Sequence, residues 1–332
     1  MKVIVTGGLG FIGSNLSLEL HKRGFTVAVV DSVSDYYSVD LKLSRRKYLL
    51  SDFSAEQFHL FDLTDLVSFN NLLAEFQPEV VIHLAGQPGV RLPVQDTFKY
   101  VDANLVGFSN VLQGVIEKKV PYFLYASSSS VYGNSKKLPY SESEDGLEPI
   151  SFYGATKLCN EILAKSLSRG SSTRIRGMRF FTVYGPWGRP DMAYFRLAAS
   201  AMSGYEFQRY GDGSVKRDFT FIDDVISSIF GLIGNLQTQG PGFSDVVNLG
   251  GGRPHSLNDL VNEFEILASN RISLVEAPES RGDVEVTAAD STYLESLIGL
   301  TSFVSLSEGV KIFYEWASQP EINSRLNEWI GE

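Results

Sequence analysis

The sequence predicts an α/β fold, a doubly wound parallel sheet with a smaller, interleaved C-terminal domain. Short β-branched runs alternate with longer helical patterns through the first half of the 332 residues. Most of those runs are almost continuously apolar, as in parallel strands covered on both faces. A glycine-rich string stands between the first strand and the first helix.

In order, residues 3–5, 26–30, 58–61, 80–84, 122–126 and 175–181 read as strands. Between the first two, Ile12, Leu16 and Leu20 recur every four residues, and Gly24 follows as a helix stop. Repeated strand–helix order gives the doubly wound sheet. The polar 135–149 segment, with Pro and Gly, is a surface loop. Past residue 185 the pattern loosens into loops and amphipathic helices. A seventh strand at 246–249, ending in three glycines, returns to the sheet. Residues 1–184, with 221–250 returning, are expected to form the first domain, and 185–220 with 251–332 the second.

Composition excludes several functions. The chain is 43% hydrophobic, enough for a large core, and its net charge of -10 disfavours nucleic acid. No apolar run reaches the roughly 18 residues of a membrane span. The start "MKVIVTGG" reads as folded structure, not as a leader. One cysteine, Cys159, and four histidines offer neither an intrachain disulfide nor a metal site, and Cys159 is expected to be packed. A cytoplasmic protein fits best.

"VIVTGGLGFIG" sets glycines at 7, 8, 10 and 13, which allow backbone N–H groups to approach a dinucleotide pyrophosphate at a helix N-terminus. Asp31, ending the second strand, suits a ribose diol, and Ser32 follows it where an arginine would suit a 2′-phosphate, so NAD is favoured over NADP. Asp62 stands at a strand end, as an adenine partner or a helix cap. His83, in "HLAG", reads as a packed strand residue. The fifth strand runs into "ASSSSVYG", and "YGATK" then sets Tyr153 and Lys157 at i, i+4 on one helix face. A held ammonium favours the phenolate over a phenol of ordinary pKa near 10, giving a general base for a hydroxyl proton. A strand-end serine can bond the same oxygen.

With these residues assembled, the chain resembles an extended short-chain dehydrogenase/reductase of the NAD-dependent nucleotide-sugar epimerase/dehydratase family, which has a Rossmann sheet. The likeness runs from "TGGLGFIG" through "HLAG", the serines, "YGATK" and "RDFTFIDDV" to "GDVEVTAAD". It implies a catalytic set of Ser128, Tyr153 and Lys157. Cofactor contacts are expected at Gly7, Gly10, Phe11, Ile12, Gly13, Asp31, Asp62, Leu63, Leu84, Ala85, Gly86, Asn104 and Ala126, besides Tyr153 and Lys157. Relatives that dehydrate or decarboxylate carry an acid in the serine window. None stands here, which favours epimerisation at C4.

The resemblance also places a nucleotide diphosphate against the second domain. Arg217 is expected at the diphosphate, or in a salt bridge with Asp218 or Asp223. Phe207 and Tyr210 are expected at the uracil and Asp283 at the ribose. Ser280 and Arg281 depart from the family pattern, and Arg281 could replace the missing contact. The strings "DYYSVDLKLSRR", "GQPGVR" and "RFFTVYGPWGRPDM" resemble UDP-glucuronate 4-epimerases. They bring Gln87, Arg91 and Met192 to the sugar with Ser128, Ser129 and Ser130, and offer Arg189 and Thr182 to a C6 carboxylate. The plain alternative for Arg189 is a surface pair with Asp191. The expected cycle moves hydride from C4 to NAD and back onto the other face of a 4-keto sugar. Rival readings are an epimerase of neutral or N-acetylated UDP-hexoses, a UDP-glucuronate decarboxylase, and a non-catalytic NAD or nucleotide-sugar sensor. A homodimer through helices near 98–118 and 153–168 is implied by the same resemblance.

Overall fold

The computed structural model describes every residue except 91, 205, 278–283, 300–301 and 332. Strand and helix alternate as β1 (Lys2–Thr6), α1 (Phe11–Lys22), β2 (Thr26–Asp31), α2 (Val39–Ser44), β3 (Phe58–Leu60), α3 (Leu66–Phe76) and β4 (Val80–His83). A broken helical run follows, α4 (Phe98–Tyr100), a π-helical stretch Val101–Gly107 and α5 (Phe108–Glu117), then β5 (Tyr122–Ser128), α6 (Phe152–Ser168) and β6 (Arg174–Phe180). These six strands lie on the six predicted runs.

The later chain forms β7 (Thr182–Tyr184), α7 (Ala193–Ser203), β8 (Phe207–Tyr210), β9 (Lys216–Phe221), α8 (Ile222–Gln237) and β10 (Ser244–Leu249). It ends with β11 (Pro254–Ser256), α9 (Leu257–Ala268), β12 (Leu274–Ala277), α10 (Thr292–Ile298), α11 (Leu306–Ala317), α12 (Pro320–Asn323) and α13 (Leu326–Ile330). The main sheet is parallel, in the order β10-β6-β5-β4-β1-β2-β3. The late strand β10 therefore does return to the sheet. Two small sheets, β11-β9-β7 and β12-β8, lie outside it.

Side-chain alternation explains the continuous apolar runs. Val3, Val5, Val27, Val29, Val80 and Ile82 point to one core with Leu16 and Leu20 of α1 and Ile229 of α8. Ile4, Ala28, Val30 and Val81 point to a second core with Phe69 of α3, Val111 of α5 and Ala164 of α6. The first core continues through Trp187 to Phe313, Trp316 and Trp329 of the C-terminal helices. Arg325 and Trp329 both donate to the Asp40 carboxylate on α2, tying the C-terminal segment to the first half.

One expectation is corrected here. Cys159 is exposed rather than packed. It lies on the face of α6 turned away from the sheet, which also carries exposed Phe152 and Ile162, while Gly154, Lys157, Glu161 and Ala164 are buried.

Candidate active site

The carboxyl end of β1 runs into the glycine string, and its backbone closes on itself there. Gly10 N donates to Gly7 O at 3.0 Å, and a β-carbon on Gly13 would collide with that same carbonyl. Helix α1 then begins at Phe11 with no side chain capping its first N–H groups, which leaves them for an anion. At the end of β2, Asp31 accepts from Leu9 N at 2.9 Å and Val33 N at 2.8 Å, so its carboxylate is fixed beside the loop. A close-packed glycine turn, open helix N–H groups and a fixed acid are what a dinucleotide requires, so the residues fit one. Leu84 and Ala85, after β4, press against Gly7. Asp62 is exposed beyond β3 and accepts from Thr64 N and Oγ1, while Asp65 supplies the cap of α3. Leu63 is buried beside it.

His83 is the packed strand residue expected. It bonds Thr6 at 2.8 Å, lies among Phe108 and Phe123, and burial drops its pKa to about 3. Asn104 spends its side chain on the loop after β4. It accepts from Gln87 N at 2.8 Å and donates to Gln87 O and to Thr156 of α6, both at 3.1 Å.

Ser151 caps α6 by accepting from Gly154 N, and this sets the helix turn that carries Tyr153. Ser128 lies within reach of the Tyr153 hydroxyl and favours its ionised form. One turn on, buried Lys157 donates from Nζ to Ala126 O at 3.0 Å and lies 5.8 Å from the Tyr153 ring centre. Burial lowers its pKa to about 8. Burial also raises the Tyr153 phenol, against the pull of the Arg189 cation and of Ser128. The cation that lowers it is Arg189 rather than the expected Lys157, and desolvation outweighs that pull.

The four serines separate by direction. Ser127 Oγ donates at 2.5 Å to Glu161, which also holds Arg179 through two bonds of 2.9 and 2.7 Å. Arg179 reaches on to Tyr132 Oη, and Tyr132 to Asn248. Strand alternation then turns Ser128 to the opposite face, toward Tyr153. Ser129 and Ser130 open a short 3₁₀ turn, with Ser130 N donating to Ser128 Oγ.

Arg189 follows Trp187, whose φ is +62°, in the loop after β7. Its Nε and Nη2 grip Asp191 at 3.0 and 2.5 Å, and its backbone N–H donates to Tyr194 Oη at 3.2 Å. The fully buried Arg45 fixes the preceding residues, donating to the carbonyls of Trp187 and Gly188 as well as to Leu9 O and Tyr37 Oη. Thr182 begins β7, and Met192 packs partly buried at the start of α7.

Farther out, Phe207 is buried in the core on β8, while Tyr210 is exposed and donates to Gln208. Arg217 donates to the carbonyls of Lys216 and Val284. The Asp218 carboxylate accepts instead from the N–H groups of Gly251, Gly252 and Ala289. Arg91, Arg281 and Asp283 lie outside the described residues. Sequence reasoning missed Tyr36, Arg45, Tyr100, Glu161 and Arg179. For Arg179 a signal existed, because an arginine inside an apolar parallel strand requires a buried acid.

Comparison with known proteins agrees with this geometry. A Rhizobium meliloti protein named as a probable UDP-glucuronate 4-epimerase is 36% identical over 96% of this chain and 97% of its own. The Bacillus cereus UDP-glucuronic acid 4-epimerase, solved with UDP-glucuronic acid and NAD, is 32% identical, with a TM-score of 0.86 over 95% of this chain and 98% of that one. MoeE5, solved with the same two molecules, is 30% identical, with a TM-score of 0.81 over 96% of this chain and 99% of that one. Residues 3–250 match the model of the NAD dependent epimerase/dehydratase family, and the chain belongs to that family.

Proposed function

We propose that this protein interconverts UDP-glucuronate and UDP-galacturonate by inverting C4. One observation carries the reading: Arg189 stands 5.9 Å from the Tyr36 ring, Tyr36 meets Gly89, and Tyr100, which holds the Gly89 carbonyl, has its ring 6.1 Å from that of Tyr153. A group that moves the O4 proton and a cation for a C6 carboxylate thus share one cleft. Its relatives named UDP-glucuronate 4-epimerases support the same substrate.

The glycine loop, the start of α1 and Asp31 would hold NAD, with Leu84 to Gly86 along its edge. Bound NAD supplies the acceptor and then the donor of hydride at C4. Tyr153 receives the O4 proton and returns it, and Ser128 bonds the same oxygen. Lys157, fixed by Ala126 O, orients the cofactor ribose beside Tyr153. Arg189, with Thr182, keeps the carboxylate out of line with the C4 carbonyl π system, the alignment through which a β-keto acid loses carbon dioxide. No acid stands at residues 127–130 to work at C5. The cofactor domain comprises 1–184 with 221–250, and the remainder covers the nucleotide sugar.

The Arg189–Asp191 pair favours a second reading, an epimerase of neutral UDP-hexoses with Arg189 structural. Asp191 takes the Nε/Nη2 edge of the guanidinium, which leaves the Nη1/Nη2 edge for a second carboxylate. Proton NMR of the purified protein with UDP-glucuronate, UDP-glucose or UDP-N-acetylglucosamine, without added NAD, decides between them. UDP-galacturonate should form, and conversion of the neutral sugars alone would sink the uronate reading. A homodimer through the helical run near 98–118 and α6 belongs to the same proposal, because Phe98, Val106, Phe152, Ile162 and Leu167 leave apolar surface exposed there. Sedimentation as a monomer would refute it.

A further inference from the structure

The loop after β2 sends Tyr36 across the cofactor cleft, and the C4 chemistry makes no use of it. In the sheet, β1 lies between β2 and β4. The loops leaving β2 and β4 therefore start about 10 Å apart, two strand spacings, with the glycine turn between them. Tyr36 belongs to the first loop and Gly89 to the second, and the two meet. A β-carbon on Gly89 would collide with the Tyr36 hydroxyl, and Gly89 has φ +88°, a conformation that favours glycine.

Tyr100 holds the same glycine from another side, its hydroxyl donating to Gly89 O at 2.5 Å. The Tyr100 ring lies 6.1 Å from that of Tyr153. On the far side, the guanidinium of Arg189 stands 5.9 Å from the centre of the Tyr36 ring, within reach of a cation–π attraction. A line of contacts thus runs Arg189–Tyr36–Gly89–Tyr100–Tyr153, above the turn where the diphosphate of a dinucleotide would lie. Burial pushes the Tyr36 phenol up to about 12, so it stays neutral and sets no negative charge over that diphosphate.

We propose that Tyr36 is a positioning residue that closes over the diphosphate of the bound dinucleotide and props Arg189 for reading the sugar carboxylate. This rests on the NAD and uronate reading above. Release of the dinucleotide then requires Tyr36 to leave Gly89, and removal of the ring lets the guanidinium drop from its place.

The test uses purified protein with its NAD bound, mixed with a trap enzyme whose turnover reports free NAD. Tyr36→Ala should release NAD about tenfold faster than the natural protein, and Gly89→Ala, which displaces the tyrosine without altering it, should do the same. Tyr36→Ala should also raise KM for UDP-glucuronate about tenfold while changing the inhibition constant of UDP-glucose less than about twofold. Tyr36→Phe keeps the ring and should keep the natural KM. Release at the natural rate in both alanine variants overturns the closing role. Equal weakening of both sugars in Tyr36→Ala, or a raised KM in Tyr36→Phe, overturns the propping role. Natural protein that retains no NAD would defeat the cofactor reading itself, a result separable from the others.

Discussion

Residues 179–192 hold two arginines that each grip a carboxylate through two bonds, Arg179 with Glu161 of α6 and Arg189 with Asp191, and their surroundings give the pairs opposite duties. Arg179 and Glu161 are only 4% and 8% exposed and lie beneath the end of β5. Their remaining bonds go to Ser127 and Tyr132, inside the protein. Arg189 and Asp191 are 24% and 32% exposed, and they face the cleft. A buried pair has no partner to spare and holds a fold in one arrangement. A pair at a cleft mouth keeps an edge of the guanidinium for a ligand. Pairing alone therefore says little about function; what matters is which donors are left, and toward what.

The largest effect expected from this contrast is on stability. Glu161→Gln leaves Arg179 buried without its counter-charge and should lower the unfolding free energy by about 3–5 kcal/mol. Urea denaturation measures it. A loss below about 1 kcal/mol would mean that the buried pair is no more structural than the exposed one. Arg189→Ala should cost less than about 1 kcal/mol in the same experiment, as exposed pairs do.

The next effect belongs to Arg189 alone. Loss of a charge-assisted bond to the sugar should reduce kcat/KM for UDP-glucuronate by about 1.5–3 kcal/mol, roughly 10- to 150-fold. The inhibition constant of UDP-glucose should hardly change, and UDP-pentose should appear in the NMR spectrum as the freed carboxylate finds its π alignment. Equal losses on both sugars would return Arg189 to the structural class of Arg179.

Much of this arrangement is legible in the sequence, and the part that is not has physical causes. The apolar runs and the glycine turn fix the sheet and the cofactor cradle because both are local patterns. Asp191 is likewise readable as a partner for Arg189, two residues away. The serine register is not, since four identical side chains carry no direction. It is settled by Glu161, 34 residues beyond Ser127, which bonds that serine and turns the next one toward Tyr153. Tyr36 lies in a polar loop and gains its place only when β2 and β4 are brought to either side of β1. Cys159 misleads because cysteine is usually buried, whereas its position on α6 faces outward.

The smallest effect is a displacement in pH, and it separates the two arginines cleanly. Tyr153 must be a phenolate to accept the O4 proton, so the acid limb of kcat/KM follows its ionisation in the free enzyme. Burial raises that pKa and the Arg189 cation lowers it. Removing the cation disfavours the phenolate, so in Arg189→Ala the acid limb moves to higher pH. Arg179 and Glu161 are not among the charges that set Tyr153, so the limb in Glu161→Gln stays in place. The profile is best taken on UDP-glucuronate with both variants at a temperature where Glu161→Gln is fully folded. A limb that moves in Glu161→Gln and stays still in Arg189→Ala would reverse the assignment, making the buried pair the electrostatic partner of catalysis.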